Sequence, residues 1–265
     1  MNSKNAFVEF EADEKELFPE IYELNIISGG CHLYGYMLTP DKRIKGPYPT
    51  VIMSHGFPGY TTNNDLEHAL MRMGCVVIHM NHRGAWGSEG NYLFTHLKDD
   101  LVAIAKWAHN PAIADQYYID RDNLFLVGHS MGGQTVLNAA KELSFIKGVV
   151  AMAAYDIGAA FRYKMEKDLF LMIETEGQCL KMNSASEVYE NALLNQQELS
   201  VLNRYEELVN RNVLLVEASF DTIAPPDMWS TQKDTGKTMA QIFGECGLPV
   251  LKAANNRVQG FMAVK

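Results

Sequence analysis

Four cysteines in 265 residues, Cys31, Cys75, Cys179 and Cys246, lie far apart and form no C-x-x-C pair. Such spacing argues against a zinc site or a disulfide scaffold and suits a reducing compartment, so the expected location is the cytoplasm. Glycine (20) and proline (9) are sparse beside 47% apolar residues, which excludes disorder, collagen and coiled coil and leaves enough material for a sizeable core. Clustered positive charge is missing as well. The 23 Lys and Arg face 32 Asp and Glu, a net of −9, so neither a nucleic acid nor an anionic membrane surface is an expected partner. Long apolar runs are also absent. Val149–Tyr155 falls far short of the ~20 residues that span a bilayer, and the first residues turn acidic where a secretory signal needs its apolar stretch.

What is present is an alternation of strand-like and helix-like patterns. Tyr22–Ser28 and Cys31–Leu38 flank Gly29-Gly30 and read as a hairpin. Short apolar runs follow at Thr50–Ser54, Cys75–Met80, Leu124–Val127, Gly148–Ala154 and Val213–Ala218. Their lack of polar alternation predicts strands covered on both faces, as in a parallel sheet. Leu66, Leu70 and Met73 make one helical stripe ending at Gly74; Leu97, Leu101, Ile104, Ala105 and Ala108 make another. The expected fold class is therefore α/β, a mostly parallel doubly wound sheet. From 156 to 210 no strand-like run occurs, only helical patterns around Phe161–Leu171, Glu187–Leu194 and Glu198–Val209. That is too long for an ordinary crossover and predicts a helical insertion, dividing the chain into 1–155 (core), 156–210 (insertion) and 211–265 (core).

Three segments carry chemistry. Gly128-His129-Ser130-Met131-Gly132 follows an apolar strand and precedes a helical run, so Ser130 is the candidate nucleophile on a sharp strand-to-helix turn that needs small neighbours. The helix N-terminus beneath it favours developing negative charge. Acyl transfer also needs two backbone N–H donors for the oxyanion. Met131 supplies one candidate. Phe57, in Ser54-His55-Gly56-Phe57-Pro58-Gly59, supplies the other, because Pro58 has no N–H. His55 is expected to brace this loop by hydrogen bonding. Asp221, on a Pro225-Pro226 loop after the Val213–Ala218 run, is the candidate acid that orients a base, with Asp156 as its competitor.

Together with Asn81–Gly90, these segments resemble the α/β-hydrolase fold, in the serine-hydrolase branch near dienelactone hydrolases, prolyl-oligopeptidase-like peptidases and cinnamoyl or feruloyl-type esterases. The resemblance runs from about residue 20 to about residue 230. It implies that the 156–210 insertion caps the substrate pocket, and leaves Arg83 and Trp86 either lining the site or building a structural turn. It implies a small-molecule ester or acyl substrate and an acyl-enzyme on Ser130, with no metal and no organic cofactor. An aminopeptidase or acylaminoacyl-peptidase activity is the alternative within the class, and an inactive acyl-binding relative the alternative outside it.

One piece of the pattern is absent. The family's base is a histidine after the acid, yet all eight histidines (32, 55, 68, 79, 82, 96, 109 and 129) precede Ser130. Leu248–Ala254 reads as the last strand, which puts Gln259, an amide that is no base near neutral pH, at the expected place. The chain stops four residues after Phe261, without the closing helix usual for the fold. Truncation, loss of catalysis and substitution by an earlier histidine are the three explanations. For the last, His55 and His82 are expected at the catalytic edge, and His129 is expected to point away from the serine.

Overall fold

The valine- and isoleucine-rich runs form the middle of one sheet. The computed structural model describes residues 18–60, 63–218, 220–224 and 250–253. Eight strands lie in the order β1-β2-β4-β3-β5-β6-β7-β8: β1 (Glu20–Ser28), β2 (Cys31–Thr39), β3 (Tyr48–Ser54), β4 (Val76–Met80), β5 (Ile119–His129), β6 (Ile146–Met152), β7 (Val213–Ala218) and β8 (Val250–Ala253). β2 runs antiparallel to both its neighbours, and every pairing from β4 to β8 is parallel. The strand period of two divides the apolar residues between two layers. Leu33, Ile52, Ile78 and Leu126 point into one layer, under α2 (His96–His109) and α4 (Met131–Ala140). Val51, Met53, Val77 and Val127 point into the other, where α1 (Asn64–Arg72) contributes Leu70 and Met71. Burial on both faces is the reason these strands show no polar alternation.

The structure adds an element and redraws others. A short helix, α3 (Pro111–Tyr117), starts where no element was expected; Asn110 caps it by accepting from the Ala112 amide, and Pro111 occupies the first turn where a missing N–H costs nothing. β5 begins at Ile119, five residues before the apolar run that announces it. Between β6 and β7 lie α5 (Ile157–Arg162), α6 (Glu166–Glu176), α7 (Ala185–Leu194) and α8 (Gln196–Leu199), then a 3-10 turn over Tyr205–Leu208. The helix expected over Phe161–Leu171 is thus two helices, broken where Lys164 takes φ 60°, and that expected over Glu198–Val209 stops at extended Ser200, ψ 126°, and resumes as the 3-10 turn after Arg204, φ 62°. Neither Lys164 nor Arg204 advertises a left-handed conformation.

α4 is buried along its whole length and fastens these helices to the core. Gln134 Oε1 accepts from the Ile157 amide (2.7 Å), and Asn138 Nδ2 donates to the Leu199 carbonyl (2.9 Å). Lys141 Nζ donates to the Val201 and Asn203 carbonyls (2.9 and 2.6 Å) and to Asn138 Oδ1 (2.9 Å). Spacings of four and three residues set all three on one helix face. Burial brings the Lys141 ammonium down from its ordinary 10.5 to about 8, against the pull of Asp156 and Glu207. Between those values the unfolded chain holds a proton that the folded one has released, so stability rises with pH across that window. Relative to Lys141→Met, the urea midpoint of the native chain is expected to climb from about pH 8 to 10.5 and to stay level below it.

Candidate active site

Ser130 sits at the junction of β5 and α4 with φ 55° and ψ −123°, a region normally left to glycine. Its backbone is held from several directions: its N–H donates to Met152 O (2.9 Å), and its carbonyl accepts from Gly133 N (2.9 Å) and Tyr155 N (3.0 Å). Backbone packs against backbone around this turn. A Cβ on Gly128 would fall on the Gly132 carbonyl, and one on Gly132 would fall on the Ser54 carbonyl that ends β3. The two flanking glycines are therefore demanded by contact, and the serine is lifted to the rim of the sheet.

That rim opens into a cavity of about 250 Å³. Gly56, Phe57, Ser130 and Met131 line it together, and a Cβ on Gly56 would stand 3.1 Å from that of Ser130. Phe94, Tyr155, Ile157, Met172 and Ile223 supply apolar walls, while Glu176 of α6 and Tyr60 supply polar ones. Phe57 belongs to an aromatic trio, its ring 5.7 Å from both Tyr92 and Phe94. Met131 is buried and its Sδ accepts from the Tyr92 hydroxyl. The Met131 amide belongs to the first turn of α4, whose N–H groups have no intrahelical partner and point out of the helix end.

Asp221 follows β7 and takes the amides of Ile223 and Ala224 on Oδ1, both at 2.9 Å. Its loop reaches the cavity through Ile223. Asp156, the competing acid, is fully buried and occupied elsewhere. It caps α5 through Ala159 N (3.1 Å) and takes Ser200 Oγ and Val201 N on Oδ2 (both 3.1 Å). Burial holds its pKa above the usual range.

His55 and His82 follow β3 and β4 at the expected edge, but both are buried there and neither lines the cavity, so neither is placed to serve as the base. His55 Nδ1 bonds the Gly56 carbonyl at 2.8 Å and His82 Nε2 bonds Ser54 Oγ at 3.1 Å. His129 lines the cavity with Ser130. Its Nδ1 is buried without a hydrogen-bond partner, and desolvation lowers its pKa against the opposing field of Asp221. Arg83 and Trp86 build structure: Arg83 Nε pairs with buried Asp100 Oδ1 at 2.6 Å, and Trp86 Nε1 donates to Pro58 O at 2.8 Å. Gln259 lies outside the described residues.

Residues 45–217, well over half of the chain, match the serine aminopeptidase family S33. The chain belongs to that family. Its architecture is the α/β-hydrolase fold of a serine hydrolase, and solved structures agree. A brefeldin A esterase, described as a bacterial homologue of human hormone-sensitive lipase, superposes with TM-score 0.63 over 94% of this chain and 71% of its own, at 17% identity. An acylaminoacyl peptidase of Pyrococcus horikoshii gives 0.61 over 89% of this chain and 36% of its own, at 18% identity. Likeness at that level extends to the fold alone. A curated relative from Escherichia coli, an uncharacterized 31.7 kDa protein of the traX–finO intergenic region, is 29% identical over 126 residues. That match takes in 45% of this chain and 41% of the relative's length.

Among the described residues, no group of three or more His, Cys, Asp and Glu side chains is arranged to hold a metal ion, and no helix is long and apolar enough to cross a membrane. Two features of the site escape a reading of the sequence in this family. Glu176 lies in an unremarkable amphipathic stretch and reaches the cavity only through the packing of α6. His129 carries a signal, its place next to Ser130, but only the fold shows that it lines the cavity.

Proposed function

We propose that this chain hydrolyses carboxylic esters of small or medium acyl groups through an acyl-enzyme on Ser130. The arrangement that supports the reading is Ser130 facing a mostly apolar cavity of about 250 Å³ beside the backbone of Phe57 and Met131. In this reading Ser130 Oγ attacks the acyl carbonyl, the Phe57 and Met131 amides stabilise the oxyanion, and α5–α8 cap the pocket. Asp221 is the acid that would orient an imidazole base taking the Ser130 proton. No histidine follows Ser130 in these 265 residues, and His129 is the imidazole that shares its cavity. Without a well-placed base, catalysis rests on oxyanion stabilisation and binding, roughly 10³–10⁴-fold over water. Free thiols at Cys31, Cys75 and Cys179 suit a reducing compartment such as the cytoplasm.

Turnover of p-nitrophenyl acetate and butyrate, with covalent fluorophosphonate labelling located on Ser130, tests the reading. An inert, unlabelled protein overturns it in favour of a non-catalytic acyl-binding role. Gln259→His tests the missing base: turnover is expected to rise at least about tenfold, since general-base assistance contributes roughly 10²–10⁴ when well placed. An unchanged rate places the base elsewhere.

The Glu176 carboxylate on the cavity wall favours a second reading, an aminopeptidase that pairs this charge with a substrate's α-ammonium. On that reading Glu176→Gln raises KM for aminoacyl-p-nitroanilides about tenfold and leaves acetyl esters unaffected. Equal effects on both substrates discard it.

A further inference from the structure

The loop that carries Phe57 is pinned on both sides. Gly56 C=O and Phe57 N–H belong to one planar peptide unit, trans in this structure, so the two groups point in opposite directions. Whatever fixes the carbonyl aims the amide. His55 Nδ1 lies 2.8 Å from Gly56 O. A carbonyl only accepts, so Nδ1 carries the hydrogen and Nε2 is bare. Nε2 is indeed fully buried and has no partner.

The ring has little freedom to leave this position. It is 2% exposed and stands 5.0 Å from the His82 ring and 6.4 Å from that of His79, which is itself bonded to Glu67 at 2.8 Å. Burial and these neighbours bring the His55 pKa down to about 3, so the ring stays neutral at working pH and its tautomer persists. On the far side of Phe57, the Pro58 carbonyl accepts from Trp86 Nε1 at 2.8 Å. Trp86 takes φ 41°, and its own carbonyl is tied to Asn81 Nδ2 at 3.0 Å. A Cβ on Gly59 would strike the Trp86 indole, so this approach requires the glycine.

We propose that His55, as its Nδ1–H tautomer, is a positioning residue that aims the Phe57 amide at the oxyanion, with Trp86 as the second point of the clamp. The proposal rests on the hydrolase reading of Ser130. It predicts a loss confined to the charge-developing step, because Gly56 and Phe57 keep their ground-state contacts with substrate.

The test compares His55→Leu, which removes the donor, with His55→Asn, whose Nδ2 restores a donor near the position of Nδ1. With p-nitrophenyl acetate, His55→Leu is expected to lower kcat about 10²-fold, the scale of one lost oxyanion donor, with KM within threefold. His55→Asn is expected to recover most of the loss, and Trp86→Phe to lower kcat about tenfold. Equal kcat in the native chain and His55→Leu, or no recovery in a folded His55→Asn, overturns the proposal. Two readouts need no turnover. Ring ¹⁵N shifts are expected to show His55 protonated at Nδ1, and a protonated Nε2 overturns the clamp. Phenylboronic acid, which forms a tetrahedral adduct on a serine, is expected to bind His55→Leu at least tenfold more weakly than the native chain. An inert native chain that still shows both features sinks the ester reading and leaves the clamp standing.

Discussion

Ser130→Ala is expected to abolish fluorophosphonate labelling and to lower ester hydrolysis at least about 10²-fold, with the unfolding free energy from urea titration changed by no more than about 1 kcal/mol. The side chain is only partly buried, so removing its oxygen leaves no unsatisfied group in the core. Alanine also keeps the Cβ that the turn already accommodates. The size of the rate loss carries information of its own. A serine served by a competent imidazole loses about 10⁶-fold on deletion, as in complete triads, whereas an unassisted one loses far less. A loss near that figure would mean that an imidazole acts in this chain, and His129→Ala, measured beside it, shows whether that ring is the one. Retained hydrolysis in Ser130→Ala would remove Ser130 from the chemistry altogether.

The second large effect concerns Gly132→Ala. The added methyl would meet the carbonyls of Ser54 and His55, main-chain atoms at the end of the central strand β3. Neither can yield without disturbing the β3–β5 pairing that joins Ser54 to Gly128. A cost of about 3 kcal/mol or more is expected, at the upper end for an overpacked core. The displacement also moves the start of α4 away from Gly56, so ester hydrolysis should fall with stability. Gly30→Ala is the comparison. It has φ +77° but open space around it, and should cost about 1–2 kcal/mol for backbone strain alone. Equal midpoints for the two variants would mean that the contact between α4 and β3 is not close.

Much of this architecture is written in local sequence. Val51–Met53, Val76–Ile78 and Leu124–Val127 are apolar at every position because both their faces are covered, and the absence of alternation reveals this directly. The turn at Ser130 is legible for a similar reason: only glycine tolerates main chain this close, so Gly128 and Gly132 mark the crossing of α4 over β3. The breaks in α5–α6 and after α8 are different. Lys164 and Arg204 take left-handed angles, and nothing in their side chains foretells it. The polar stripe Gln134, Asn138 and Lys141 is visible as helical spacing, yet its partners lie 23 to 62 residues away in the chain.

Sequence alone determined the α/β-hydrolase class, the position of Ser130, and the lack of a following histidine, because each depends on residue type and near neighbours. Tertiary structure decided which groups face the cavity. It set His129 against the cavity, buried His55 and His82 behind the rim, and committed Asp156 to capping α5. The surroundings of those side chains come from strands and helices distant in sequence, and no local pattern encodes such contacts.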